Sequence, residues 1–128
     1  MSANPNFAST PKVGKALINT ANTNRDGTGT ITSIFAAGAA GSRIDKVIIA
    51  ANTTTTAGML RFYISNGVTN TLIFEVPVPA IVPSATVQTF VSNQTGIPFP
   101  LVIPSGYSLQ ASTNNAEAFI ITALGGDF

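Results

Sequence analysis

The sequence has no cysteine, no histidine and no tryptophan, and only 9% of its 128 residues are charged. Without cysteine, no disulfide, thiolate metal site or thiol nucleophile can form, and nothing indicates an oxidising compartment. Without histidine, the usual general base, the commonest metal ligand and the standard activator of a serine are missing. A charged fraction near 25% is typical, so this surface must stay soluble on Thr, Ser and Asn or be covered by partners. A net charge of +1 supplies too few cations for the phosphate contacts of nucleic-acid binding. No apolar run approaches the ~20 residues of a membrane-spanning helix. The first ten residues hold only Phe7 as a large apolar side chain, so no signal-peptide core is expected.

What is present reads as a chain of short strands. Residues 1–12, rich in Asn, Ser, Ala and Pro, lack periodicity and are expected to form an N-terminal arm. From residue 13 to 128, β-branched and aromatic segments alternate with Gly, Asn, Pro and Ser clusters. The segments are 13–20, 28–37, 43–52, 59–66, 71–80, 86–94, 107–114 and 118–124. Leu60, Phe62 and Ile64 alternate with Arg61 and Tyr63, and Leu72, Phe74 and Val76 alternate with Ile73 and Glu75, as half-buried strands require. Val47-Ile48-Ile49 and Phe119-Ile120-Ile121 are apolar on both faces, so these strands either lie deep or meet another subunit.

Asn66-Gly67 and Asp26-Gly27 suit tight reversals. Pro77, Pro79, Pro83, Pro98, Pro100 and Pro104 mark sheet edges and connections, with 96–106 read as one long connection. The Ala-rich stretch 35–40 is broken by Gly38 and Gly41 and is read as a loop. The expected fold is all-β: a single eight-stranded antiparallel β-sandwich, a jelly roll ahead of an immunoglobulin-like sandwich. In a jelly roll, the connections 21–27, 53–58, 81–85 and 115–117 gather at one end.

Few residues offer chemistry. Glu75 and Glu117 are the only pair a glycoside hydrolase could use, and strand carboxylates more often partner Lys or Arg. Asp26 with Asn22 and Asn24 has oxygen donors for calcium, but one carboxylate beside Arg25 better suits a hydrogen-bonded loop. Gly27-Thr28-Gly29 lacks the Lys and the helix of a phosphate loop. No catalytic, metal or cofactor site is expected, and the chain is read as a non-enzyme. All six cations lie in the first half, whereas Glu75, Glu117 and Asp127 are the only later charges. Either complementary ends meet between subunits, or the charges pair across strands within one domain.

The C-terminal third runs Leu101-Val102-Ile103-Pro104-Ser105-Gly106-Tyr107-Ser108-Leu109 and ends Gly125-Gly126-Asp127-Phe128. These features are similar to small proteins encoded among the head genes of tailed bacteriophages and prophages, and resemble jelly-roll capsid decoration, or cement, proteins. The likeness is strongest from Met59 to Phe128. It implies a virion structural protein made in the bacterial host cytoplasm and placed on the capsid surface. Its partners would be the major capsid protein and itself, a homotrimer ahead of a dimer. The resemblance brings no catalytic residues and no cofactor.

Contacts are then expected from the arm and one loop end: Phe7, Pro11, Lys12, Lys15, Arg25, Thr54 and Thr55. Ile48, Ile73 and Ile120 are expected to lie in an interface rather than all be buried in one subunit. The alternative functional class is a tail or fibre module binding host-surface carbohydrate through clustered Tyr63, Tyr107 and an Asn-rich groove.

Overall fold

The computed structural model describes residues 8–96 and 99–128. Nine strands are present among them: β1 (Thr10–Ile18), β2 (Thr32–Ala36), β3 (Ser42–Ala51), β4 (Gly58–Ser65), β5 (Asn70–Val78), β6 (Val91–Gln94), β7 (Leu101–Ile103), β8 (Ser108–Thr113) and β9 (Phe119–Asp127). They form two antiparallel sheets, β1-β9-β3-β6 with β7 also on β3, and β2-β8-β4-β5. Consecutive strands thus alternate between sheets except at the β4–β5 hairpin and at β6–β7. This is the jelly-roll order of two interleaved Greek keys.

The ninth strand arises where the sequence suggested only a connection. Leu101-Val102-Ile103 pairs with Ser42, Arg43 and Ile44, while β6 pairs with the far half of β3. β6 and β7 thus take the two halves of one edge of β3, and Pro100, just before β7, cannot donate to a ladder. At the other end of the chain β1 begins at Thr10, so residues 10–12 are strand rather than arm.

Alternation along the strands sends one set of side chains between the sheets. Val47, Ile49, Phe119 and Ile121 from one sheet meet Leu60, Phe62, Val76 and Leu109 from the other, all buried. Phe62 stacks on Phe74 at 4.5 Å, Phe74 meets Phe99 edge-on at 5.7 Å, and Phe90 meets Phe119 edge-on at 6.2 Å. Each such pair adds about 1 kcal/mol beyond its buried area.

The alternation read for β5 needs one correction. Phe62 pairs with Phe74 but Tyr63 pairs with Leu72, so Ile73 is the extra residue of a bulge. Leu72 therefore shares the outer face with Tyr63, and Ile73 packs against the core beside Phe74.

The C-terminal Gly-Gly-Asp-Phe closes the first sheet. A side chain at Gly125 would place its Cβ 1.9 Å from the Arg43 carbonyl oxygen, so the β3 bulge at Asp45 requires glycine opposite it. Asp127 accepts from Ser42 Oγ at 2.5 Å and lies 3.3 Å from Lys12 Nζ, and Phe128 N donates to Gly41 O. In Pro104-Ser105-Gly106-Tyr107, Tyr107 N donates to Pro104 O and Gly106 holds φ +87°, the third residue of a type II turn. Both motifs behind the family resemblance thus have structural roles.

Candidate functional site

Of the two outer faces, the one on β2-β8-β4-β5 is covered by the chain itself. Arg61 and Tyr63 point outward from β4, yet they are 3% and 0% exposed. Residues 19–31 fold back across them. Arg61 Nη1 donates to Asn22 O at 3.0 Å and Nη2 to Asn114 Oδ1 at 3.1 Å, and Tyr63 Oη donates to Asn24 O at 2.9 Å. Arg61 Nε lies 3.3 Å from Glu75 Oε2, close enough for ionic attraction but out of line for a hydrogen bond. Arg25 reaches the same carboxylate from above, with Nε 3.0 and 3.1 Å from its two oxygens.

The loop is stiffened internally. Asn22 Nδ2 donates to Thr28 O and Thr30 O, Asn22 Oδ1 accepts from Asn24 N, and Asp26 Oδ1 accepts from Thr28 N and Oγ1. Those Thr28 bonds, the side-chain one first, hold the Asp26 carboxyl below its ordinary pKa. The Asn and Asp oxygens considered for calcium are thus the fastenings of the loop. Among the described residues no three acidic side chains converge in a metal-holding group.

The other outer face, on β1-β9-β3-β6, has no such cover among the described residues. Register places Leu17 beside Ile120, Ile120 beside Ala50, and Ala50 beside Val91, an apolar row across all four strands. Leu17, Ile120 and Val91 are 52%, 39% and 42% exposed. The next row is Lys15, Thr122, Ile48 and Asn93, and the one after it Val13, Leu124 and Lys46. Apolar side chains in the three rows leave on the order of 400 Å² of exposed surface, within the range where a patch on a soluble protein is commonly functional.

The residues singled out from sequence divide accordingly. Lys15, Ile48 and Ile120 lie on the bare face, and Pro11 at its β1 end. Ile73 is turned inward, half-buried against the core. Lys12 also faces inward: its Nζ donates to Ala36 O, pairs with Asp127 and sits 4.8 Å from the centre of the Phe35 ring. Arg25 belongs to the covering loop. Thr54 is exposed, whereas Thr55 is buried, bridging to Ile81 with its hydroxyl on Pro79 O. Phe7 lies outside the described residues. Leu17, Val91, Val13 and Lys46 were not foreseen, because their shared face emerges only once the register of β1, β9, β3 and β6 is known.

Three of the four connections expected to gather do meet: Thr55 bridges to Ile81, and Glu117 accepts from Thr56 N and Oγ1. Of 21–27 only Asn22 reaches this end, its N donating to Thr113 O, while the segment runs on across the sheet to Gly27, whose O accepts from Asn70 Nδ2 at the opposite end. Asn115 Nδ2 donates to Thr56 Oγ1 and Ala57 O. Glu75 and Glu117 are each held by separate partners, on the covered face and in this loop cluster. At the opposite end, Tyr107, Ile64, Asn66, Thr69 and Thr71 line an open cleft of about 130 Å³.

Charges pair within the domain: Lys12 with Asp127, Arg25 and Arg61 with Glu75, and Arg43 with Asp45. Lys12, Arg25 and Arg61 thus meet late carboxylates inside one subunit, whereas Arg43 pairs with its near neighbour Asp45. Among the described residues there is no helix long and apolar enough to cross a membrane.

No family model and no curated protein matches the chain. Solved structures do. Two crystal structures, each of a pentameric capsid protein isolated from metagenomic phage sequences, align with 17% and 18% identity and TM-scores of 0.41 and 0.42. They cover 90% and 91% of this chain, which spans 59% and 62% of theirs. The T13 IBDV viral particle protein aligns over 99% of this chain and 35% of its own, with 13% identity and a TM-score of 0.38. The jelly-roll assignment stands on the strand order itself.

Proposed function

We propose that the chain is a structural subunit of a bacteriophage head, a decoration or cement protein that docks on the major capsid protein shell and stabilises it from the capsid surface. The observation that carries this reading is the unequal treatment of the two outer faces. A loop of about a dozen residues, a buried arginine and a network of amide bonds cover one face, while an apolar row crosses the other with no cover among the described residues. The resemblance of the C-terminal third to head decoration proteins supports the same role.

Covering on the order of 400 Å² of apolar surface is worth roughly 10 kcal/mol gross, about what association costs in lost freedom. A single docking event through these side chains alone is therefore weak. Self-association as a trimer, ahead of a dimer, lets several weak contacts act together on a symmetric shell. The test is to add purified protein to capsids lacking it. Co-sedimentation and a raised temperature of DNA release are expected; absence of both removes the reading. The carbohydrate alternative is not favoured by the geometry, since Tyr63 is buried under the loop while Tyr107 lines a separate cleft.

A further inference from the structure

We infer that the bare face is matched by a different polypeptide, whose docking surface is an apolar strip flanked by carboxylates, rather than by a second copy of this chain. The inference rests on the reading above that this face is a docking surface. It follows from a count of where the charges go. The sequence has six cations and five carboxylates. All five carboxylates are engaged inside the subunit: Asp26 by Thr28, Asp45 by Arg43, Glu75 by Arg25 and Arg61, Glu117 by Thr56, and Asp127 by Ser42 and Lys12.

Four of the six cations share in those pairs. The remaining two, Lys15 and Lys46, have no ion pair among the described residues, and both stand exposed on the bare face. They straddle β9. Lys15 sits in the row of Thr122, and Lys46 in the adjacent row of Leu124. Two strand spacings and one two-residue step put them on the order of 12 Å apart.

Stacking this face on its own copy would bring four ammonium groups into one apolar contact with no free carboxylate to receive them. Like charges facing each other across an interface oppose association. Docking on another face of a second copy fares little better. Only Asp26 and Glu117 lie outside ion pairs among the described residues: Thr28 already occupies one oxygen of Asp26, and of the Glu117 oxygens one is held by Thr56 and the other is buried. Nor is the complement a nucleic acid. Two cations neutralise too few phosphates, and the Leu17-Ile120-Ala50-Val91 row would face a charged backbone. A partner protein surface with acids at about the lysine spacing satisfies both the row and the cations.

The experiment compares wild type with K15E/K46E, K15Q/K46Q and L17S/I120S in binding to shells lacking the protein. Light scattering of each variant alone and flotation with anionic phosphatidylglycerol vesicles complete it. All substituted positions are exposed, so unchanged thermal unfolding verifies the fold. Expected is at least a tenfold loss of shell binding for K15E/K46E, a smaller loss for K15Q/K46Q, and a weaker salt dependence in both. L17S/I120S should also lose shell binding while keeping the wild-type mass.

Shell binding by K15E/K46E equal to wild type overturns the inference and leaves the decoration reading standing. A wild type that binds no shell removes the decoration reading instead. The two remaining arms decide the occupant in either case. Dissociation of a wild-type oligomer by L17S/I120S identifies a second copy on the face, and wild-type flotation abolished in K15E/K46E identifies a lipid surface; each overturns the inference.

Discussion

Arg61→Met tests whether the covering loop is held by the buried arginine. Methionine approximates the volume of the aliphatic stem, so packing against β4 and β8 is largely retained and the guanidinium's bonds are what is removed. Two of those bonds, to Asn22 O and Asn114 Oδ1, link a charged donor to acceptors beside a 3% exposed side chain. Such bonds contribute about 1.5–3 kcal/mol each. Breaking a buried ionic partnership from one side costs about 3–5 kcal/mol. Here the cost is moderated, because Glu75 is 26% exposed and keeps Arg25. A net loss of about 3 kcal/mol is expected, corresponding to a fall in Tm of roughly 10–15 °C for a domain of this size.

The assay is equilibrium urea unfolding followed by tyrosine fluorescence, since Tyr63 reports on the loop and no tryptophan obscures it. Hydrogen exchange should show faster amides at 19–31 and unchanged protection in β3 and β9. Unfolding within 1 kcal/mol of wild type, with loop amides still protected, would refute the assignment of Arg61 as the fastening.

Ile49→Ala and Ile48→Ala, neighbours on β3 with opposite facings, should differ sharply: about 2–4 kcal/mol lost at buried Ile49 against under about 1 kcal/mol at Ile48, by denaturant unfolding. Gly125→Ala should destabilise by at least about 2 kcal/mol, because its Cβ meets the Arg43 carbonyl rather than a side chain that can swing away. Near-normal Tm in that variant would mean the bulge can shift. Acid should weaken the fold through Asp127 and Asp26, both held below the ordinary carboxylate value of 3.8. For Asp127 the Ser42 bond leads and Lys12 follows; for Asp26, Thr28. A lowered folded pKa means that stability is present above 3.8 and lost as pH falls through the folded value. With no histidine, side-chain titration should leave Tm nearly flat between about pH 5 and 8, and Asp127→Asn should blunt the acid-side fall.

Much of the fold was legible because strand periodicity and turn residues are local signals. Leu60, Phe62 and Ile64 face inward as their spacing indicates, and Asn66 fastens the β4–β5 turn by accepting from Val68 N and Thr69 N. What was not legible depends on long-range pairing. The bulge that reverses Leu72 and Ile73 is set by the partner strand, and the pairing of Leu101-Val102-Ile103 with β3 depends on residues almost sixty positions earlier. Arg61 reads in sequence as a solvent-facing strand residue; only the return of loop 19–31 buries it. The apolar double-faced strands β3 and β9 were recognisable, yet their extension to Leu17 and Val91 was not, since neither neighbour in sequence announces the row.

The shortage of charge can now be located rather than merely counted. Four of the six cations are committed to ion pairs within the subunit, at the sheet closure, at the β3 bulge and at the covering loop. A surface so depleted has little left with which to repel its neighbours, so the placement of the remaining two lysines carries unusual weight. On the bare face they oppose self-stacking of an apolar row that would otherwise invite it. The same side chains that would orient a partner also keep copies of the chain apart before that partner is met. Association with a true partner should therefore be fast at low salt and held by apolar contact afterwards, because electrostatic complementarity acts mainly on encounter and specificity. Substituting Lys15 and Lys46 by neutral residues should accordingly make the isolated protein more prone to aggregate, even as it weakens docking.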